Sequence, residues 1–310
     1  MELLRSLVSF NASNVVCICF IIGNAISKIT TNNSQQGTIR GWLDRGAASY
    51  PAKVFLESVD QQRSATYADV SLFCRRLSRN LRKKGFGPND RVALLSNNAL
   101  EHLLIYFGVM YYGATICTIH VEMNAVLIKE ILNSLDPKLV LFEEGIGLEE
   151  EIRQTDYPAH ALGSWSQQDC TGFVAEVSGL SAENPAPVYG PDDIASIFFT
   201  SGTTAEPKGI LCSFQHLETN VAAVVEAFDI HAEDRLLDYR SFNWASAQML
   251  SALGALCQGA TLIMPRKFSS SRFFEWIKAY KPTVVAGNPT VFNMLLAKNS
   301  SCLLYTSDAA

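Results

Sequence analysis

Nowhere in its 310 residues does the chain carry a Cys-x-x-Cys pair, an extended basic block, or an uninterrupted apolar run of the ~20 residues that a bilayer requires. Each absence removes a class of function. Eight cysteines are present, but they are scattered, and the only close pair, Cys17 and Cys19, lies inside an apolar run. Neither a disulfide framework nor a zinc site is indicated, and a reduced, intracellular protein is the reading. Charged residues make up 18% of the chain and the formal net charge is −5, so no nucleic-acid partner is expected. The one basic cluster, Arg79-Asn-Leu-Arg-Lys-Lys84, runs straight into Gly85 and reads as the solvated C-terminal end of a helix. His120 and His216 have no partners at metal or triad spacing, and no metal site is expected.

What is present is material for one large or two medium globular domains, with 48% of residues hydrophobic. Residues 1–37 stand apart as an extension. Its apolar run, Val15-Val-Cys-Ile-Cys-Phe-Ile-Ile22, is open to three readings: a signal-peptide core behind Arg5 with Gly23-Asn-Ala25 as cleavage site, a membrane-apposed helix giving weak membrane association through residues 15–26, or plain upstream sequence. At the other end, residues 299–310 fit no periodic element and read as a non-native tail.

The densest chemistry lies at Thr200-Ser-Gly-Thr-Thr-Ala-Glu-Pro-Lys-Gly209. It follows a short apolar run, Ile194 to Phe199, that reads as a strand buried on both faces. Gly202 and Gly209 permit sharp turns and close ligand approach, while Thr200, Ser201, Thr203 and Thr204 offer hydroxyls beside backbone amides. Lys208 adds a mobile point charge. The set suits a polyphosphate. It is not a Walker A loop, because Pro207, Lys208 and Gly209 stand where that motif needs glycine, lysine and a magnesium-binding hydroxyl. A ligand-free Ser/Thr/Gly-rich hairpin is the bland alternative.

A repeat places this loop within an architecture. Asp234 follows Asp90 by 144 positions, Gly259 follows Gly113 by 146, and Pro282 follows Pro137 by 145, each opening a similar tract. Helical patterns fill Ala99 to Tyr112 and Ala245 to Gln258, and the amphipathic stretch Val70 to Leu81 has its counterpart in Leu217 to Phe228, with Leu217, Val221, Val224 and Phe228 on one face. Ser213 is a candidate N-cap. Ahead of these helices, each copy has a strand, a loop and a returning strand: Lys53 to Glu57 with Ala65, and Ile194 to Thr200 with Ile210. The first loop, Ser58 to Ser64, reads as a plain hydrophilic turn. The fold class is therefore α/β, with two pseudo-repeated, mostly parallel sheets flanked by helices. The domain reading is an extension over 1–37, a first repeat over 38–154, a connection over 155–191, and a second repeat over 192–298 carrying the loop.

The ten-residue loop resembles the phosphate loop of the adenylate-forming superfamily, whose pattern [ST]-[ST]-G-[ST]-[ST]-G-x-P-K-G is matched everywhere except at Ala205. If the position requires positive φ, alanine there would strain the loop by about 1 kcal/mol, too little to abolish phosphate binding. The stretch Ile39 to Pro51 resembles the family's opening, and the likeness runs from about Thr38 to about Ala297. It implies part of the large N-terminal domain of an acid–CoA ligase of the fatty acid metabolism type. In such a ligase a carboxylate attacks the α-phosphate of Mg2+-bound ATP, and coenzyme A then displaces AMP from the acyl-adenylate. Thr200, Ser201, Gly202, Thr203, Thr204, Lys208 and Gly209 become phosphate-binding candidates. The substrate pocket is assigned to Phe242, Asn243, Trp244, Gly287 and Asn288, which follow strand ends. The alternatives are that Phe242 and Trp244 are core aromatics, that Asn243 is a helix cap matched by Asn98, and that Gly287-Asn-Pro289 is an ordinary turn. The implied partner is a small-molecule carboxylate, of medium-chain, aromatic or carnitine-like type, in the cytoplasm; oligomeric state is not readable.

Two other classes stay open. An amino-acid adenylation domain would place a carboxylate near Asn243 for the substrate ammonium, and a non-catalytic nucleotide-binding module would keep the fold without turnover. No [YF]-G-x-[TS]-E segment, later ribose-binding aspartate or late lysine follows the second repeat, so the catalytic residues are expected beyond residue 310. The 310-residue chain is expected to show no carboxylate-dependent pyrophosphate exchange, as a radiolabel exchange assay would establish.

Overall fold

The structure, a computed structural model, describes residues 37–183, 185–200, 207–287, 289–291 and 293–295. Elements are numbered here in chain order. Helix α1 (Ile39–Ser49) begins at Thr38, whose hydroxyl accepts from the Gly41 amide at 3.0 Å, while the Ile39 amide donates to Glu218 Oε1 at 2.9 Å. Two of the first-turn donors that a helix leaves unpaired are thus satisfied. The hairpin β1 (Val54–Ser58) and β2 (Arg63–Thr66) leads into α2 (Tyr67–Lys83), which starts with a reciprocal capping box between Thr66 and Asp69. This helix stops at Gly85, in the left-handed region at φ 73°, as the basic cluster predicts.

Strands β3 (Arg91–Leu95), β4 (Thr115–Ile119) and β5 (Leu139–Phe142) alternate with α3 (Leu100–Tyr112) and α4 (Ala125–Leu135). The connection over 155–191 is more ordered than its prolines suggest. After α5 (Glu149–Arg153) it contributes β6 (Ala159–Ala161) and α6 (Gly172–Ser178). The second half then supplies the hairpin β7 (Ile194–Thr200) and β8 (Lys208–Ser213), helix α7 (Phe214–Ala227) and strand β9 (Arg235–Asp238). A composite helix follows: α8 (Ala245–Ala247), a π-helical segment (Gln248–Leu253) and α9 (Gly254–Gln258). Strand β10 (Thr261–Met264), α10 (Phe273–Tyr280) and β11 (Val284–Ala286) complete the named elements.

Ser213 caps α7 as expected, accepting from the His216 amide at 3.2 Å. The buried face of α7 differs from the one read from the sequence. It runs through Phe214, Leu217, Val221 and Val225, whereas Phe228 is 41% exposed. Both stripes share Leu217 and Val221 and diverge only at the last turn; the helix ends at Ala227, which leaves Phe228 as the capping residue outside the packed face.

Two sheets are formed, one of six strands in the order β6-β5-β3-β4-β7-β8 and one of five in the order β11-β9-β10-β1-β2. All pairings are parallel except within the two hairpins. Laid side by side, β5-β3-β4-β7-β8 and β11-β9-β10-β1-β2 are the same arrangement, with each hairpin exchanged into the sheet of the other repeat. Equivalent threonines hold both exchanges. Thr115 Oγ1 donates to the Ile194 carbonyl at 2.6 Å, and Thr261 Oγ1 donates to the Val54 carbonyl at 2.7 Å.

Helix α3 is apolar nearly all round because it touches both sheets, packing on β4 of one and on β1 and β2 of the other. Glu101 and His102 are nonetheless buried in it. Glu101 accepts from Arg63 at 3.0 Å, Gln61 at 2.7 Å and the Trp165 amide at 2.7 Å, and the Gln61 carbonyl oxygen takes the Leu100 amide at 2.9 Å. The Ser58–Ser64 loop is therefore not a plain turn: Gln61 and Arg63 bracket the start of α3.

Two groups, the buried His102 and the half-buried Glu218, titrate in opposite senses. Burial drives His102 down to about 4, while burial lifts the Glu218 carboxyl to about 7 against the pull of the Ile39 amide. For His102 the unfolded chain takes up its proton first, so stability is lost as pH falls from about 6.5 through about 4. For Glu218 the folded chain keeps its proton longer, so stability is lost as pH rises from about 4.5 through about 7. The two slopes oppose each other between about 4.5 and 6.5. Glu218→Gln is expected to expose the His102 slope, with urea midpoints that climb across that window relative to the unmodified chain.

Candidate functional site

The carboxyl ends of the strands of the two sheets face each other across a cleft of about 150 Å³. Asn97 and Asn98 follow β3, His120 follows β4, Tyr239 to Asn243 follow β9, and Arg266 to Phe268 follow β10. A smaller hollow adjoins it through His120 and Asn243, reaching Trp244 and Phe199, the residue before Thr200. The cleft therefore leads to the end of β7, from which the Thr200–Gly209 loop departs. This is the position at which open α/β sheets take ligands.

The floor of the cleft is a turn held from several sides. Asp238, fully buried at the end of β9, accepts the Arg240 amide at 2.9 Å, Arg240 Nη2 at 2.6 Å and Ser251 Oγ at 2.6 Å. The π-helical segment sets Gln248 and Ser251 on the inner side, so that Gln248 Nε2 donates to the Phe242 carbonyl at 2.6 Å and to Thr118 Oγ1 at 2.8 Å. Such a segment widens one helical turn and is often found beside functional sites. His120 and Trp244 face one another with ring centroids 5.7 Å apart, and Trp244 is 44% exposed.

The rim is charged and largely paired. Arg266 Nη1 lies 2.6 Å from Glu143, Lys267 lies 2.5 Å from Glu122, and Asp60 receives the Arg266 amide at 2.6 Å and Arg272 at 2.7 Å. Burial alone would raise Glu143, but the Asn97 amide and Arg266 together hold it below the usual carboxylate range. Among the described residues there is no cluster of His, Cys, Asp and Glu that could hold a metal ion, and no helix long and apolar enough to cross a membrane.

Two mostly parallel sheets meeting at a cleft that reaches the end of β7 agree with the family model of AMP-binding enzymes, which matches residues 43–308. The chain belongs to the AMP-binding enzyme family. Family relatives include the long-chain-fatty-acid–CoA ligase FadD13 of Mycobacterium tuberculosis, 25% identical over 82% of this chain and 50% of the relative. A long-chain-fatty-acid–CoA ligase of Thermus thermophilus is 29% identical over 81% of this chain and 47% of its own length. The sulfoacetate–CoA ligase of Cupriavidus necator is 25% identical over 81% and 49%. The chain thus spans about half the length of the curated relatives it matches. Among solved structures, the inhibitor-bound N-terminal domain of FACL13 from Mycobacterium tuberculosis superposes with a TM-score of 0.75 at 24% identity, covering 84% of this chain and 65% of that one. VinN gives 0.74 at 19% identity, covering 86% and 65%. These likenesses fix the fold as that of adenylate-forming N-terminal domains.

Within this family fold the residues singled out from the sequence fall in different places. Ser201, Gly202, Thr203 and Thr204 lie outside the described residues, as do Asn288 and the segments 1–36 and 296–310. Thr200 closes β7, while Lys208 and Gly209 open β8, both exposed, with a Cβ on Gly209 set to meet Ile197 at 3.2 Å. Asn243 and Trp244 line the cleft and its hollow, whereas Phe242 is fully buried in the main core. Gly287 follows β11, half-buried. The helix-cap reading of Asn98 and Asn243 is not what is observed: the N-cap positions of α3 and α8 are Ala99 and Trp244, with no side-chain capping bond. Gln248 and Asp238 carry no motif and escape sequence reasoning, although Asp238 and Arg240 flank the candidate segment, and His120, set aside for want of metal or triad partners, lines the cleft.

Asp238→Ala strands the 16%-exposed Arg240 side chain without its partner and is expected to cost about 3–5 kcal/mol in urea denaturation. Asp238→Asn, whose Oδ1 still accepts from the Arg240 amide while its Nδ2 donates to Ser251 Oγ, is expected to cost less.

Proposed function

We propose that the chain carries the acid-binding and nucleotide-binding face of an ATP-dependent acid–CoA ligase. The observation that carries this reading is the cleft that joins the Asn243–Trp244 turn to the end of β7, because it sets a place for an organic acid beside the loop suited to a triphosphate. Acyl-CoA ligases of this family use ATP, Mg2+ and CoA in general, and Mg2+ arrives on the triphosphate as part of the substrate. On this reading Thr200, Ser201, Gly202, Thr203, Thr204, Lys208 and Gly209 hold the β- and γ-phosphates. The acid lies against Asn243 and the exposed face of Trp244, bounded by Gly287 and Asn288.

The chemistry then needs positioning more than covalent help. A carboxylate oxygen bonds to the α-phosphorus and the α–β anhydride bond breaks, releasing pyrophosphate. In the second step the thiolate of CoA bonds to the acyl carbon, and the bond to AMP breaks. We further propose that these 310 residues bind both substrates without completing turnover, since no adenine-facing aromatic segment, ribose-binding aspartate or late lysine is among them. The compartment is the cytoplasm, where ATP and CoA are available.

The names of the relatives span long-chain fatty acids, sulfoacetate, oxalate and 4-coumarate, and VinN has been seen with L-aspartate, so a panel of carboxylates is the right probe. An amino acid is the less favoured substrate here, because the carboxylate at the head of the candidate segment, Asp238, is already bonded to Arg240 and Ser251. Isothermal titration with Mg·ATP and the panel tests the reading. ATP and at least one acid are expected to bind, and Lys208→Ala is expected to weaken ATP about tenfold, which is ~1.4 kcal/mol. Absence of nucleotide binding, or acid binding confined to amino acids, would overturn it.

A further inference from the structure

The repeat leaves a reciprocal pair of asparagines across the cleft. Asn98, after β3, donates from Nδ2 to the Arg240 carbonyl at 2.8 Å and to the Pro265 carbonyl at 3.2 Å. Asn243, after β9, donates from Nδ2 to the Ser96 carbonyl at 2.9 Å and to Ser241 Oγ at 3.1 Å. Ser96 and Arg240 are separated by the repeat offset of 144 positions, so each asparagine reaches the same carbonyl of the other copy. Asn98 does one thing more: its Oδ1 accepts from the Phe242 amide at 2.9 Å.

That last bond concerns the candidate pocket. The Phe242 residue is gripped on both sides, its amide by Asn98 and its carbonyl by Gln248. Fixing both peptide planes leaves little freedom for the backbone of Ser241 to Asn243, and so aims the side chains of Asn243 and Trp244. The orientation of the Asn98 amide is not ambiguous, because two carbonyls can only accept and one N–H can only donate. Asn98 is 4% exposed where it lines the cleft, and its polar atoms are spent on the turn and on the Pro265 carbonyl.

We infer that Asn98 is a positioning residue for the acid pocket: a side chain of the first repeat sets the direction of Asn243 and Trp244 in the second. This rests on the reading that those two residues face the acid. A merely structural role, joining two sheets, would leave acid and nucleotide binding equally affected, or unaffected, by its loss.

The test compares the full chain with Asn98→Ala and with Asn80→Ala, which also loses a buried amide but on α2, where Asn80 Nδ2 donates to Glu176 at 2.8 Å, away from the cleft. Amide hydrogen exchange at Phe242 is expected to quicken about tenfold in Asn98→Ala and not in Asn80→Ala, as loss of a single protecting bond implies. Affinity for whichever panel acid binds is expected to fall about tenfold, with Mg·ATP affinity within about twofold. Asn98→Ser, which keeps a hydroxyl at the junction, is expected to give the same pattern at smaller amplitude and serves if the alanine variant does not fold. Unchanged exchange at Phe242, or parallel losses of acid and ATP binding matching those in Asn80→Ala, would overturn the inference. If the unmodified chain binds ATP but no acid, it is the pocket reading that fails, and the exchange result then reports only whether Asn98 holds the turn.

Discussion

Neither repeat closes a sheet with its own strands, and this constraint governs the rest of the molecule. The β1–β2 hairpin pairs with β10, and the β7–β8 hairpin pairs with β4, so each sheet is complete only when both halves of the chain are in place. The exchange brings the carboxyl ends of β3 and β9 to face one another, and it encloses α3 between surfaces from both sheets, which is why that helix has almost no polar face. Without the exchange there would be two separate α/β layers and no shared cleft. The threonines that open β4 and β10 show how locally the exchange is fastened, each with one hydroxyl bond to the first residue of the visiting strand.

Polar groups at the cleft follow from the same geometry. Strand ends carry unpaired carbonyls and amides, and where two sets of ends meet in a buried place those groups must find partners. Here they are met by side chains from the opposing copy or from the composite helix: Asn98, Asn243 and Gln248. A few atoms remain without partners, among them Asn243 Oδ1 and Gln248 Oε1. Asn243 Oδ1 lies on the segment that the substrate reading favours, where incomplete satisfaction is expected of a site that gains bonds on binding.

Much of this was legible in the residues and some was not. The offset between Asp90 and Asp234 gave the equivalent strands, and both aspartates turn out to perform one task, with Oδ2 accepting from Gly87 and His231 amides at 2.7 Å. Which sheet a hairpin joins was not legible, since the apolar patterns of β1 and β7 suit either sheet and pairing is decided by contacts remote in sequence. The prolines between 155 and 191 concealed β6, whose three residues are too few for a period to emerge. In the candidate site, the asparagine match between Asn98 and Asn243 was visible but its meaning was not, because a cap and a cross-sheet bond need the same residue type. The π-helical register that turns Gln248 inward leaves no trace in a pattern that any helix would satisfy. Of the two readings open for Phe242, pocket wall and core aromatic, its side chain takes the core one.

The hairpin exchange also sets a schedule for biosynthesis. Leu56 of β1 pairs with Leu262 of β10, about 200 residues later. At a ribosomal pace of about 5–20 residues per second, the first hairpin waits roughly 10–40 s after its own emergence before its neighbour strand exists. During that interval β1, whose Phe55 and Leu56 are fully buried in the finished fold, presents an open apolar edge. A nascent chain of this design relies on shelter, from the ribosome surface or from chaperones, for longer than one whose strands pair with their nearest neighbours.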